Sequence, residues 1–219
     1  MSRPRLLDLF CCAGGAGMGY CLAGFDVTGV DIEPQPRYPF EFVRADALEY
    51  VVAHGHEFDA IHASPPCQGF TAYKRRPGHV APRKNLIPAT RRALQTTGLP
   101  YVIENVPGAA AELINPVTLC GTMFGLEVRR HRRFETKPLI LMAPVCAHGD
   151  GARRFPSATN NKHLRRTVEV GVWRIPLDVQ QRAMGIDWME REELSQAIPP
   201  AYTRWLGMEM MKHVQQAAA

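Results

Sequence analysis

The chain of 219 residues carries a formal net charge of +5, is 46% hydrophobic and 21% charged, and holds six cysteines. That length can bury a full core, which excludes a disulfide-stapled miniature, and the balance of apolar and charged residues excludes a disordered chain. The charge is uneven: residues 1–60 hold four arginines against nine acids, whereas 70–92 hold Lys74, Arg75, Arg76, Arg83, Lys84, Arg91 and Arg92 with no acid, and Arg129, Arg130, Arg132 and Arg133 follow. Such a basic flank suits a polyanionic partner on one face, or is simply a solvated surface.

The longest charge-free stretch, 9–25, contains five glycines and follows Asp8. An acidic flank is wrong for a secretory signal, and the glycines argue against a membrane span. The expectation is therefore a cytoplasmic protein with reduced thiols and no membrane contact, one cysteine being a candidate nucleophile. Apolar runs then alternate with helical stretches: a strand over 5–10, a helix over 17–24, strands over 25–30 and 58–63, helices over 46–54 and 86–97, and a strand over 101–104. This pattern predicts an α/β fold, a doubly wound and mostly parallel sheet whose ligands sit beyond the carboxyl ends of the strands. Residues 136–171, with three prolines and a Gly149-Asp150-Gly151 turn, read as a small loop-rich insertion. Helices over 177–184 and 201–214 close the chain, so the division is 1–135 plus 173–219 for the main domain and 136–172 for the insertion.

Three loops at strand ends carry the chemistry. Phe10-Cys11-Cys12-Ala13-Gly14-Gly15 leads from a strand into a helix, a setting for a nucleotide-type ligand or for a plain tight turn. Asp31, at the end of the next strand, is placed to accept from ribose hydroxyls. Asp46 is equally suited to an adenine amino group and to capping the helix it opens. Ser64-Pro65-Pro66-Cys67-Gln68 fixes a cysteine on a stiff loop, which a core cysteine would not need, and the basic residues downstream favour its thiolate. Glu104, closing an apolar strand, is either a structural ion pair with an arginine or a carboxyl of raised pKa that donates to a ring nitrogen.

Taken in order, Asp8-Leu9-Phe10, Ser64-Pro65-Pro66-Cys67-Gln68, Glu104-Asn105-Val106 and Arg130-His131-Arg132-Arg133-Phe134 resemble the DNA (cytosine-5) methyltransferases, with weaker matches at Arg182-Ala183-Met184-Gly185 and Ala197-Ile198-Pro199-Pro200. The resemblance implies an S-adenosylmethionine-dependent Rossmann-like fold and transfer of a methyl group to C5 of cytosine in DNA. Cys67 would attack C6 of a base turned out of the stack. Glu104 would hold N3 and the exocyclic amine, Arg132 the base O2 with Arg130 in support, and Asn105 belongs to the same motif. Phe10, Gly14, Gly15, Asp31, Ile32, Asp46 and Pro66 would hold the cofactor. Gln68, Lys74, Arg75, Arg76, Arg153 and Arg154 would touch DNA, with 73–78 as a loop closing over it. An RNA (tRNA) branch of the family carries a Cys-Phe-Thr segment that does not occur here, and a DNA-binding homologue without activity would be expected to lose Cys67 or Glu104.

The chain departs from the family pattern at Cys12, which stands for the first glycine of Phe-x-Gly-x-Gly, at Val128, which stands for a Gln, and at Ser195-Gln196, which stand for Gly-Asn. The insertion is far shorter than the family's usual recognition domain, implying a short target in double-stranded DNA or a partner that supplies specificity. The resemblance further implies a monomer, acting alone or beside a cognate restriction endonuclease. Cys146-x-His148, with Cys120 and His163 elsewhere, fits no strong zinc spacing, so no metal is expected.

Overall fold

A computed structural model describes residues 2–70, 85–140, 142–146, 148 and 167–217. Among these, seven strands form one sheet: β1 (Arg5–Leu9), β2 (Asp26–Asp31), β3 (Glu41–Arg44), β4 (Ala60–Ala63), β5 (Tyr101–Asn105), β6 (Val117–Leu119) and β7 (Arg132–Lys137), in the order β3-β2-β1-β4-β5-β7-β6. The first five are mutually parallel, while β7 runs antiparallel to both β5 and β6. The expected doubly wound, mostly parallel sheet is therefore present. β7 runs on to Lys137, past the expected boundary at 135.

Alternation along the strands builds a core on each face. Leu7 and Leu9 of β1, Ile61 of β4 and Ile103 of β5 pack beneath α2 (Ala47–His54) and α3 (Ile87–Thr97). Leu6, Val27, Val102 and Phe134 take the opposite face with Tyr20 of α1 (Gly15–Ala23) and Tyr202, Leu206 and Met210 of α6 (Pro200–Ala217). A third cluster joins Ala13 to α4 (Leu177–Met184) and α5 (Arg191–Gln196) through Met184, Met189 and Leu194. The indole of Trp188 donates to the Ala13 carbonyl at 2.8 Å, so the C-terminal helices brace the turn after β1.

Gly14, at φ 83°, caps α1 in the left-handed conformation that its missing side chain makes easy. A Cβ on Gly15 would lie 2.5 Å from the carbonyl oxygen of Ile198. Both positions thus leave no room for a side chain, whatever the backbone there meets. Asp46 caps α2, its Oδ1 accepting from the amides of Leu48 and Glu49 at 2.8 and 3.1 Å. Capping, one of the two roles open to Asp46 in the sequence, is thus present in the fold.

Candidate active site

The loop after β4 and the end of β5 meet at the sheet's carboxyl edge. Asn105 donates from Nδ2 to the Pro65 carbonyl at 2.9 Å, and its Oδ1 accepts from the amide of Val106 at 3.0 Å. The two prolines that precede Cys67 are thereby tied to β5, and the cysteine stands half-buried on a braced loop. Burial, and after it the Glu104 carboxylate, push the Cys67 thiol above its ordinary pKa, while Arg132 and Arg130 pull the other way. Among the described residues, the cations that favour the thiolate are these two arginines, and they do not outweigh burial.

Glu104 is only 6% exposed, and its Oε1 lies 3.0 Å from Nε of Arg132. The approach is an ion pair without hydrogen-bond alignment, so this buried oxygen keeps unused accepting capacity among the described residues. Burial raises the carboxyl's pKa, and Arg132, Arg130 and a hydrogen bond from Ser64 counter it. Glu104 is thus an ion-paired carboxyl whose pKa burial raises. Arg130 is engaged elsewhere: its Nη2 donates to the Ser195 carbonyl at 2.5 Å, and its own carbonyl accepts from the Tyr202 hydroxyl at 2.5 Å. It fixes the C-terminal segment against the site.

Behind Glu104 runs a buried polar chain that the sequence reading missed. Tyr20 meets Nδ1 of His62 at 2.9 Å, and Nε2 of His62 meets the Ser64 hydroxyl at 2.8 Å. Burial pushes the His62 pKa down to about 3, so the ring is neutral and accepts at one nitrogen while donating at the other. The signal available was a histidine in the otherwise apolar strand Ala60-Ile61-His62-Ala63.

Beside this centre, the ends of β1 and β2 form a second group. Phe10 and Cys12 adopt positive φ, at 57° and 45°. Cys12 donates its amide to Asp31 Oδ2 at 3.0 Å, and Glu33 donates its amide to Oδ1 at 3.0 Å. Ile32 presents its side chain outward at 61% exposure. An apolar surface next to a fixed carboxylate with spare lone pairs matches an adenosine-like ligand. Pro66 is half-buried and Gln68 exposed on the cysteine loop.

The remaining DNA-binding residues expected from the sequence, Lys74, Arg75, Arg76, Arg153 and Arg154, lie outside the described residues, as does the 73–78 loop. Arg91, counted in the basic flank, serves the fold instead. It donates to both carboxylate oxygens of Glu135 at 2.7 and 2.6 Å and to the Glu112 carbonyl at 2.6 Å, pinning α3 to β7. Farther along the sheet, Cys120, His131, Cys146 and His148 converge. Spacing alone hid this group because His131 sits among arginines and belongs to no Cys/His motif.

A cysteine on a braced loop, a buried carboxylate and two arginines thus gather at the strand ends of a doubly wound sheet, beside the Asp31 carboxylate. No protein-family model matches the chain. It is 30% identical over 121 residues to the type II methyltransferase M.AgeI of Thalassovita gelatinovora, a match covering 48% of this chain and 28% of that one. It is 31% identical over 124 residues to the type II methyltransferase M.XorII of Xanthomonas oryzae pv. oryzae, covering 49% and 29%. The matched segment spans under a third of either relative's length. Among solved structures, the Dnmt2 methyltransferase of S. pombe is similar at 22% identity and a TM-score of 0.46, over 61% of this chain and 49% of that one.

Proposed function

We propose that the chain is an S-adenosylmethionine-dependent DNA methyltransferase acting at C5 of cytosine through a covalent Cys67–C6 adduct. The observation that carries this reading is the arrangement of Glu104. It is a buried carboxylate at the end of β5, paired with Arg132 and bordered by a cysteine loop that its neighbour Asn105 holds in place. A nucleophile alone would not need a desolvated carboxylate beside it. A pyrimidine ring does, because attack at C6 builds charge that must be met at N3. The likeness to two type II methyltransferases agrees with methyl transfer and with DNA as the substrate.

The Cys67 sulfur adds to C6 of a base turned out of the duplex, and the ring electrons move toward C5. Glu104 holds N3 and the amino group, and Arg132 faces the base O2. S-adenosylmethionine, when bound, supplies the electrophilic methyl group that C5 takes. Solvent water takes the C5 proton while the C6–S bond breaks with its electron pair on sulfur, which restores the ring and frees Cys67. Phe10, Ile32 and Asp31 would hold the adenosine end of the cofactor, and Asp31 fits because each of its oxygens retains a lone pair beyond the amide it accepts. Residues 1–135 and 173–219 perform this chemistry, while 136–172 meet the duplex.

Duplex DNA carrying 5-fluorocytosine, incubated with the protein and S-adenosylmethionine, should give a complex that survives denaturation, since fluorine cannot leave as a proton does. Bisulfite sequencing of DNA from cells expressing the chain should show protected cytosines. Adduct formation with transfer RNA and none with DNA would move the substrate to RNA. Methylation without any adduct would remove Cys67 from the mechanism.

A further inference from the structure

We propose that Cys120, His131, Cys146 and His148 form a structural zinc site that clamps the root of the insertion to the β6–β7 hairpin. The four donors come from three separate stretches of chain. Cys120 follows β6 and is fully buried, His131 precedes β7, and Cys146 with His148 lies on the segment that leaves β7. Their ligand atoms all lie within 4.8 Å of one another. Nε2 of His131 and Nε2 of His148 are 3.2 Å apart, and the Cys146 sulfur stands 3.4 and 3.1 Å from them.

Three of these separations, at 3.1 to 3.4 Å, lie within a few tenths of an ångström of tetrahedral edges, and Cys120 stands within 4.8 Å of the other donors. With Zn–S near 2.3 Å and Zn–N near 2.0 to 2.1 Å, the edges between donors come to roughly 3.3 to 3.8 Å. Two sulfurs and two imidazoles are the donor set of closed structural zinc sites, with no place left for a reacting water. The thiolates cancel the charge of the ion, so the metal adds no net cation to a hairpin already carrying Arg129, Arg130, Arg132 and Arg133. Surrounding contacts hold the first ligand in position: Thr122 donates its hydroxyl to the Cys120 sulfur at 3.4 Å. The two imidazole planes cross at 82°, so the rings approach each other edge to face rather than stacked.

The clamp would act at a distance from the chemistry. His131 lies between Arg130 and Arg132, the residue that opens β7. Fixing its ring would therefore limit the movement of the backbone that carries both arginines. The segment that follows β7 would thereby start from a rigid anchor.

Elemental analysis of the full chain, purified without chelators, should find zinc equimolar with protein. Cobalt replacing it should give the intense visible absorption of a tetrahedral site and a thiolate-to-cobalt charge-transfer band. Cys146→Ser should lose about half of that band and His148→Ala should weaken metal retention, while Cys21→Ser should change neither. Circular dichroism on each variant separates metal loss from unfolding. A folded, metal-free protein that takes up no tetrahedral cobalt would overturn the site, as would metal binding that survives Cys146→Ser and His148→Ala together, or a Cys120–Cys146 disulfide in place of metal. None of these measurements depends on methyl transfer.

Discussion

The side chain of Asn105 donates to the carbonyl of Pro65 at 2.9 Å, joining the end of β5 to the loop that carries Cys67 across 40 residues of sequence. Both partners are buried, so the bond cannot be replaced by water without rearrangement. Asn105→Ala should cost about 1 to 3 kcal/mol of stability, the penalty for an unsatisfied buried carbonyl. It should also slow adduct formation with 5-fluorocytosine DNA while leaving S-adenosylmethionine affinity unchanged. Urea denaturation and calorimetric titration measure the two parts, and a full adduct rate in the variant would mean that the prolines alone hold the loop.

Cys67→Ser should abolish the adduct and methyl transfer while retaining DNA binding, because a hydroxyl without an activating base is a far weaker nucleophile. The wild-type thiol, held above its ordinary pKa by burial and then by Glu104, should react slowly with iodoacetamide at neutral pH and faster as pH rises. Rapid alkylation at neutral pH would show that Arg132 and Arg130 dominate the sulfur's surroundings.

Glu104→Gln removes a charge that raises the Cys67 pKa and leaves Arg132 without its partner. Thiol alkylation at a fixed pH should therefore speed up, while methyl transfer slows by roughly a hundredfold or more, as expected for losing a positioned acid. The opposite signs distinguish a chemical role from a structural one. A merely structural carboxylate would lower both rates with the fold.

The sheet was legible because apolar strands and helical stretches alternate from the N-terminus to β5, and their loops carry the prolines, the cysteine and the carboxylate. Less visible were β6, only three residues long, and α5, only six, because neither is long enough to show a period. The glycines after Phe10 look in sequence like a ligand cradle, yet the space beside Gly15 is filled by Ile198 from the far end of the chain, a contact no local pattern encodes. Arg91 read as part of a basic flank for the same reason: its partner Glu135 is distant in sequence. The Cys/His cluster is the extreme case, since it exists only once β7 has brought His131 beside Cys146 and His148.

Cys12 occupies a position with φ 45° where a residue bearing a Cβ is strained, while its amide binds Asp31. Cys12→Gly should keep that amide bond and relieve on the order of 1 kcal/mol of backbone strain. The melting temperature should hold or rise, and S-adenosylmethionine affinity should be preserved or tightened. A large loss of affinity by calorimetry would give the Cys12 side chain a direct part in binding.

Asp8 supplies a pH dependence of stability that involves no proposed catalytic group. It is fully buried in β1, its Oδ2 accepts from the Tyr38 hydroxyl at 3.1 Å, and its Oδ1 has no partner among the described residues. Burial pushes its pKa from 3.8 up to about 8, with Asp31 adding to the rise and the Tyr38 hydrogen bond opposing it. Between those two values the folded chain holds a proton that the unfolded chain has released. The group's contribution to stability is thus complete below 3.8 and is lost as pH rises through that window, each unit costing at most about 1.4 kcal/mol. Asp8→Asn keeps an oxygen for Tyr38 and cannot ionise, so its stability should fall less than that of the wild type between about pH 4 and about pH 8. Urea midpoints for both proteins across that range measure the difference. Parallel curves would show that Asp8 ionises in the folded protein as freely as in the unfolded one.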